Sequence, residues 1–190
     1  LKIAGKNPAQ LVASDMGFAV APRLNAAGRL DDISYGIQCL LTDDAVIALK
    51  HAQELEQFNQ DRKTIEQEMQ TEALKIVEDL VLADQDELPA ALCLYQADWH
   101  QGVVGLLASR IKEKFHRPVA VFARDDNGML RGSVRSISGL HIRDALDAVA
   151  TKNPGLINKF GGHAMAAGLS LEESFFDQFE QALQQQVEST

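Results

Sequence analysis

The sequence predicts an α/β fold in which helices cover a mixed β-sheet and one long helix precedes that sheet. Residues 44–83 contain neither glycine nor proline, and their apolar residues recur at helical spacing. After residue 89, short apolar runs alternate with amphipathic stretches in the order βαββαβα. Asp125-Asp-Asn-Gly128 is a strong hairpin signal between two of these runs, so at least two neighbouring strands are antiparallel.

The long helix is predicted from its caps and its apolar stripe. Asp43 and Asp44 are good N-cap residues for a helix that continues to Ala83. At 1.5 Å per residue it would be about 58 Å long, which is typical of a helix that connects domains. A coiled coil is the alternative, although Arg62 interrupts the stripe and no steady heptad is kept. The stripe contains six apolar residues: Leu55, Phe58, Ile65, Met69, Ile76 and Leu80.

The other elements follow from short apolar runs and from glycine or proline between them. Residues 8–18 and 33–41 are expected to form short helices or turns around a polar loop, Ala21–Asp32. Gly161, Gly162 and Gly168 are expected to bracket a turn before a short strand through Leu169 and Leu171. The remaining strands are expected at Ala91–Tyr95, Val119–Phe122 and Met129–Ile137, and the remaining helices at Gly102–Phe115, His141–Ala150 and Phe175–Val187.

The charge is distributed unevenly along the chain. The 190 residues carry a net charge of −9 and are 46% hydrophobic, which fits one domain or a domain with an appendage. Residues 43–88 hold 13 acidic and 4 basic side chains, whereas residues 100–165 hold 10 basic and 5 acidic ones with four histidines. A locally basic face is therefore available for phosphates. The alternative is scattered, solvated charge.

The composition predicts a soluble, cytoplasmic protein. No apolar run approaches the roughly 18 to 20 residues that span a bilayer. Cys39 and Cys93 lie among apolar neighbours, as expected of buried thiols in a reducing compartment. Because the first residue is Leu1 and no strand or cap signal follows it, we expect the chain to be a piece of a longer protein.

One histidine lies among very small residues, in Gly161-Gly-His-Ala-Met-Ala-Ala-Gly168. Gly161 and Gly162 would let a ligand approach the backbone, and the His163 imidazole would then lie beside a phosphate or a metal. The alternative is a tight turn that carries a surface histidine.

A hydroxyl and a guanidinium are predicted to converge in Arg131-Gly-Ser-Val-Arg-Ser136. Ser133 and Arg135 are two residues apart and so project from the same face of a strand. The planar fork of arginine matches phosphate oxygens, and serine adds a neutral donor. An exposed strand face without a ligand is the alternative.

Two further segments are candidates for binding anions or bases. Pro22–Arg29 resembles an anion-binding loop, in which Asn25 and Arg29 supply donors but no nucleophile. Asp98-Trp-His-Gln-Gly102 lies where a strand passes into a helix, so the amides of the first turn could receive an anion. His100 and Gln101 lie there too, and Trp99 could equally belong to the core.

No dense cluster of Asp and His residues that could bind two divalent metals is found in the sequence. Two-metal phosphodiesterases need several such ligands around ions about 4 Å apart. We therefore expect a hydrolytic metal centre to be missing from this chain.

Four motifs, in this order, closely resemble the RecJ family of DHH phosphoesterases, over nearly the whole chain. The long acidic helix separates the first motif from the second. They are Ala21-Pro-Arg-Leu-Asn-Ala-Ala-Gly-Arg29, Trp99-His-Gln-Gly-Val-Val-Gly105 with Ala108-Ser-Arg-Ile111, Gly132-Ser-Val-Arg-Ser136, and Gly161–Gly168.

The resemblance implies a DHHA1 substrate-binding domain at 86–190, a connecting helix at 43–85, and the tail of a DHH domain at 1–42. The family degrades single-stranded DNA from a 5′ end in repair and recombination, with Mn²⁺ or Mg²⁺. The metal-binding DHH signature has no match here, and an oligonucleotide-binding domain of the family is absent as well.

The resemblance also assigns roles to particular residues. It makes His163 the catalytic histidine that faces the metals and the scissile phosphate. Arg29, Ser133 and Arg135 would hold the 5′-terminal phosphate. Two other functions remain open: a DHH phosphodiesterase of oligoribonucleotides or cyclic dinucleotides, and an RNA-binding module like the DHHA1 domain of alanyl-tRNA synthetase.

Overall fold

The computed structural model describes residues 1–83 and 88–190, which form two compact units, Leu1–Ile65 and Glu66–Thr190. Most of the predicted acidic turn Asp84–Pro89 lies outside the described residues. Within the described part of the chain, none of the helices is both long and apolar enough to cross a membrane.

The first unit consists of helices. Asp44 caps the longest of them, because its carboxylate accepts hydrogen bonds from the Val46 and Ile47 amides at 2.8 and 3.2 Å. Cys39 is half-buried, and its thiol lies 3.7 Å from the Ala48 carbonyl oxygen. The α-helices are α1 (Ala13–Asp15), α2 (Ala21–Leu30), α3 (Ser34–Leu41) and the start of α4 (Ala45–Ala83), with a 3₁₀ turn at Pro8–Gln10 and a π-helical stretch at Met16–Val20.

The prediction of a polar loop over Ala21–Asp32 is wrong, because most of this segment is helix α2. Pro22 lies in the first turn, where an amide hydrogen has no partner within the helix, so proline costs little there. Gly28 lies close to Ile33, whose Cδ1 would be 3.2 Å from a Cβ at that position. Pro22 and Gly28, whose residue types commonly interrupt helices, are thus compatible with this one.

Helix α4 is continuous over 39 residues, as predicted. The helix is partly exposed, since residues such as Gln57, Lys63 and Glu68 are exposed. The buried positions recur at intervals of four residues with one gap of ten, which keeps them on a single helix face. These positions are Leu55, Asn59, Met69, Ala73 and Val77.

The second unit contains a mixed sheet, as predicted, which has five strands rather than the four expected. The strands lie in the order β1-β2-β3-β5-β4; β1 and β2 are parallel, and the other pairs are antiparallel. The predicted hairpin at Asp125–Gly128 joins β2 to β3, and Gly128 has the positive φ of +79° that its turn requires. The strands are β1 (Leu92–Tyr95), β2 (Val119–Arg124), β3 (Met129–Arg135), β4 (Lys159–Gly162) and β5 (Ala166–Glu172).

Strand β4 was not predicted, because Gly161 and Gly162 were interpreted as part of a turn. Gly162 has φ +155°, and a Cβ there would be 2.5 Å from the Ala166 carbonyl oxygen. Only glycine fits this close approach of two strands. The glycines therefore allow the chain to pair with β5 immediately before it reverses direction.

Helices cover both faces of this sheet. Helix α5 packs on β2 and β3, whereas α6 and α7 pack on the opposite face around Phe122, whose ring centroid is 5.5 Å from that of Phe179. Cys93 is buried in the same core, and burial raises the pKa of its thiol well above the usual range. The helices are α5 (Val104–Phe115), α6 (Ile142–Lys152) and α7 (Phe176–Glu188), each within two residues of the prediction at either end.

Candidate functional site

The centre of the candidate site is the guanidinium of Arg135, which is held in place by two serines. Its Nη1 donates a hydrogen bond to Ser133 Oγ at 2.9 Å, and its Nε donates to Ser109 Oγ at 3.2 Å. The predicted convergence of Ser133 and Arg135 on one strand face is therefore confirmed. Because the arginine is half-buried and fixed from two sides, little side-chain entropy remains to be lost when it binds an anion.

Helix α5 fits against this pair because of a glycine. A Cβ at Gly105 would be 3.0 Å from Arg135 Nη2 and 3.1 Å from Ser133 Oγ. Ser109 lies one turn further along α5, and its hydroxyl also donates to the Gly105 carbonyl oxygen at 3.1 Å. No role was predicted for Gly105 or Ser109, although both lie in the second of the four motifs. Their i, i+4 spacing places them on one face of α5, but no local signal shows that this face packs against Ser133 and Arg135.

The turn that carries His163 lies at the same end of the sheet as Arg135. Ala166, the partner of Arg135 in the β3–β5 register, accepts a hydrogen bond from the His163 amide at 2.8 Å. The turn is also attached to the end of β3, since the Ser136 amide donates to the Met165 carbonyl oxygen at 3.0 Å. The His163 side chain is exposed, so its imidazole is available at this end of the sheet.

The segment that contains His100 and Gln101 is folded more tightly than the sequence predicted. Helix α5 begins at Val104 rather than Gly102. The Gly102 amide donates to His100 Nδ1 at 3.0 Å, and the Val103 amide donates to the His100 carbonyl oxygen at 2.9 Å. Two of the amides predicted to receive an anion thus already have partners. His100 is half-buried and Gln101 is exposed.

Trp99 belongs to the core, which decides between the two interpretations of this residue. Its side chain is 4% exposed, and its indole N–H donates to Glu72 Oε2 at 2.7 Å. Glu72 lies on the part of α4 that belongs to the second unit. A second side-chain contact with α4 is the ion pair between Arg110 Nε and Glu66 Oε1, which are 3.3 Å apart.

Asn25 and Arg29 lie in the first unit, one turn apart on α2. Asn25 is exposed and Arg29 is half-buried. Because they are separated by four residues on a helix, they share one face of it. The predicted anion-binding loop is therefore one face of a helix.

The described residues, 1–83 and 88–190, include no group of three or more His, Cys, Asp or Glu side chains arranged to hold a metal ion. His163 lies in the turn at the end of the sheet that carries Arg135, and its side chain is exposed. A single exposed imidazole can supply one ligand or one proton donor, and it does not make a metal site by itself.

The fold and the site define the class of the chain. The model of the DHHA1 domain family matches residues 88–189, which include every strand of the sheet. The chain belongs to the DHHA1 domain family. Its sheet, the Gly105 helix and the glycine turn before β5 all lie within the matched residues.

The relatives are single-stranded-DNA-specific exonucleases named RecJ. The chain is 58% identical over 181 residues to RecJ of Dickeya dadantii, and 58% identical to that of Escherichia coli. Each alignment covers 95% of this chain and 31% of the relative. The chain thus spans about a third of the length of the curated relatives it matches.

Solved structures show the same fold. The crystal structure of RecJ from Thermus thermophilus in complex with Mg²⁺ matches with a TM-score of 0.79 and 32% identity, over 94% of this chain and 26% of that one. The crystal structure of exonuclease RecJ bound to manganese matches with a TM-score of 0.78 and 33% identity, over 94% of this chain and 42% of that one.

Proposed function

We propose that this chain is the substrate-binding part of a 5′→3′ exonuclease that is specific for single-stranded DNA. Family membership and the similarity to RecJ support this proposal. The observation that carries it is the Arg135 guanidinium, fixed by Ser133 and Ser109 beside a glycine that leaves room for it. Such a preorganised, charged donor group suits the phosphate at a strand's 5′ end.

The pocket acts by positioning. Arg135 and Ser133 bind the oxygens of the terminal phosphate, and the strand then extends toward the end of the sheet where the His163 turn lies. His163 hydrogen-bonds the scissile phosphate, with Gly161 and Gly162 keeping the turn free of side-chain bulk. Arg29, Asn25, His100 and Gln101 contribute further contacts to the phosphate backbone.

We further propose that residues outside this chain hold the Mn²⁺ or Mg²⁺ ions. Solved RecJ structures contain these ions, and the chain covers only part of them. Bound divalent metal would supply the activated water for phosphodiester hydrolysis. The adjoining parts are a DHH domain and an oligonucleotide-binding domain, and the whole protein acts in DNA repair and recombination in the cytoplasm.

The full-length protein provides the test. Three substrates are compared at one ionic strength, because affinity for nucleic acid depends on salt: 5′-phosphorylated single-stranded DNA, an oligoribonucleotide and a tRNA. We expect hydrolysis of the DNA from its 5′ end, with slower turnover of a 5′-hydroxyl strand. Preferential hydrolysis of the oligoribonucleotide, or tight binding of tRNA without hydrolysis, would refute the proposal in favour of one of the two alternatives.

A further inference from the structure

A groove lies on the sheet face that carries Ser133 and Arg135, and the proposed function assigns no ligand group to it. Its volume is about 320 Å³, and it is lined by Arg131, Lys159 and Ser170, among others. All of its lining residues belong to the second unit. This volume is at the lower end of the range for small-molecule pockets, so the groove fits part of a single nucleotide rather than a length of polymer.

The two phosphate contacts of the proposed function lie in one row at the end of the sheet. Arg135 of β3 pairs with Ala166 of β5, and the His163 amide donates to the Ala166 carbonyl oxygen at 2.8 Å. Cross-strand partners project from the same face of a sheet. Arg135 and His163 are two strand spacings apart, which is about 10 Å. In the proposed function, the 5′-terminal nucleoside joins the terminal phosphate to the scissile one, so it crosses the sheet along this end row.

The next row is an open floor that contains two glycines. Gly168 of β5 pairs with Ser133 of β3 and with Gly161 of β4. This row is two residues from the end row, which is about 7 Å along the strands. A Cβ at Gly161 would meet nothing within 4 Å, and one at Gly168 would meet only the Gly132 carbonyl oxygen at 3.7 Å. A planar ligand can therefore lie close to the backbone of this glycine floor.

The third row supplies hydrogen-bond donors. Ser170 of β5 pairs with Arg131 of β3 and with Lys159 of β4. Arg131 Nε donates to Asp125 Oδ2 at 2.9 Å, so the hairpin holds one edge of the guanidinium. The Arg131 side chain is 50% exposed, and Lys159 is exposed as well. Because arginine and lysine carry donors and no acceptors, this row suits the carbonyl oxygens and ring nitrogens at the edge of a nucleobase.

The open space lies on only one side of the end row. On the other side, residues 136–142 are joined to the His163 turn. The Ser136 amide donates to the Met165 carbonyl oxygen at 3.0 Å, and the Ile142 amide donates to the Ala164 carbonyl oxygen at 2.9 Å. A base projects sideways from the sugar-phosphate backbone, so the base of a nucleoside in the end row has room over the glycine floor.

We infer that the groove is a subsite for the base of the 5′-terminal nucleotide. The base lies over the glycine floor, and its edge accepts hydrogen bonds from Arg131 and Lys159. The inference rests on the proposed function, in which Arg135 and His163 hold the phosphates on either side of this nucleoside. All four bases carry acceptor atoms, so the subsite does not require one sequence. A base whose edge is bound there cannot pair with a complementary strand, so the subsite favours an unpaired 5′ end.

Two 5′-phosphorylated single strands that differ only in their first base test the subsite on the full-length protein. One strand begins with thymidine, and the other begins with an abasic tetrahydrofuran nucleotide, which keeps both phosphates. The measurement is kcat/KM for release of the first nucleotide, at one ionic strength. We expect the thymidine strand to react on the order of three- to tenfold faster, as one or two hydrogen bonds to charged donors allow.

The variants separate the base contacts from the phosphate contacts through the ratio of the two rates. Lys159→Ala removes a donor, and Gly161→Val fills the open floor, where an added Cβ meets no protein atom within 4 Å. Both should lower the ratio, and Gly161→Val should bring it close to one. Arg135→Ala should slow both strands and keep the ratio, because it removes a phosphate contact that they share. The matched control is Lys152→Ala, since Lys152 is exposed on α6, which packs on the opposite face.

Failure of the subsite and failure of the proposed function give different results. If the unchanged protein releases both first nucleotides equally fast, the subsite is refuted and the proposed function stands. The same conclusion follows if folded Lys159→Ala and Gly161→Val variants keep the ratio of the Lys152→Ala control. If the unchanged protein releases no nucleotide from the 5′ end of either strand, the proposed function and the inference both fail.

Discussion

Arg135 is the residue on which the proposed function depends most directly. Arg135→Ala should weaken the binding of 5′-phosphorylated single-stranded DNA and leave the fold intact, because it removes a charge-assisted donor pair. The slope of log affinity against log salt should fall by roughly 0.7, the value for one phosphate contact on a single strand. Arg135→Lys should restore only part of the affinity, since lysine keeps the charge without the planar fork. Unchanged affinity and slope in a folded Arg135→Ala chain would contradict the assignment.

Gly105 tests whether the position of the guanidinium matters as well as its charge. Gly105→Ala would place a Cβ 3.0 Å from Arg135 Nη2, so the arginine must shift. We expect several-fold weaker binding of phosphorylated DNA, with a small change in stability because alanine favours the helix. Gly17→Ala is the matched control, since Gly17 is also helical and a Cβ there meets nothing within 4 Å. Equal affinities for the two variants would show that the close packing of Gly105 against Arg135 is not required for binding.

At the scale of elements, α4 is joined to the segment after β1 by the hydrogen bond from the buried Trp99 indole to Glu72. Glu72→Ala would leave the buried Trp99 indole N–H without its acceptor, which costs about 1 to 3 kcal/mol in the free energy of unfolding. Glu72→Gln keeps an acceptor and should cost less. Trp99 is the chain's one tryptophan, so its fluorescence during urea unfolding reports on this segment directly. Glu68→Ala, an exposed change on the same helix, is the control.

The two strand glycines Gly132 and Gly161 differ in what they face. A Cβ at Gly132 would be 2.4 Å from Phe122 Cε1, in the core, whereas one at Gly161 meets nothing within 4 Å. Gly132→Ala should therefore lower the free energy of unfolding by about 1 to 3 kcal/mol through overpacking. Gly161→Ala should change it much less. Thermal unfolding of the two variants, followed by circular dichroism, measures the difference, and similar midpoints would contradict this account.

The elements that could be predicted from the sequence are those with a regular pattern. Helix α4 and the hairpin at Asp125–Gly128 follow from periodicity and turn chemistry, which are local properties. Helix α2 and strand β4 could not be predicted, because each contains glycine that is tolerated for a tertiary reason. Gly28 lies against Ile33, and Gly162 lies against Ala166 of the next strand. Such contacts are invisible until the fold is known.

In the candidate site, too, the residues that follow a local pattern could be predicted and those that depend on tertiary packing could not. Ser133 and Arg135 could be paired from their spacing on one strand, because alternation along a strand is a local rule. The contributions of Gly105 and Ser109 depend on how α5 packs across the sheet, so no local pattern marks them. Trp99 could not be assigned from the sequence either, since its burial depends on the side of α4 that carries Glu72.

At the scale of the whole molecule, the two units differ in how completely they bury apolar side chains. The first unit leaves several fully in solvent, including Phe18 at 86% exposure and Val46 at 77%. Exposed apolar side chains are typical of an interaction site where they form one patch. The proposal that residues 1–42 are the tail of a DHH domain accounts for this exposure, since such a tail would pack against the rest of that domain.

We expect the 190-residue chain to fold and to bind single-stranded DNA without cleaving it. Two-metal hydrolysis needs several clustered acidic or histidine ligands, and the part of the chain that the structure describes holds no such group. The measurement is release of nucleotides from labelled 5′-phosphorylated DNA in the presence of Mn²⁺, with the full-length protein as the positive control. Metal-dependent hydrolysis that co-purifies with the chain and disappears in a His163→Ala variant would contradict the expectation.

Strand β3 serves two purposes with alternate residues, and this restricts how the gene can change in length. Leu130 and Val134 fill the core, while Arg131, Ser133 and Arg135 project from the opposite face of the strand. Loss of one codon within the strand would exchange the two sets, burying arginines and exposing the core. Loss of two codons would keep each residue type on its own side. Natural length variation in this strand should therefore occur in steps of two residues, with single-residue changes confined to the hairpin loop.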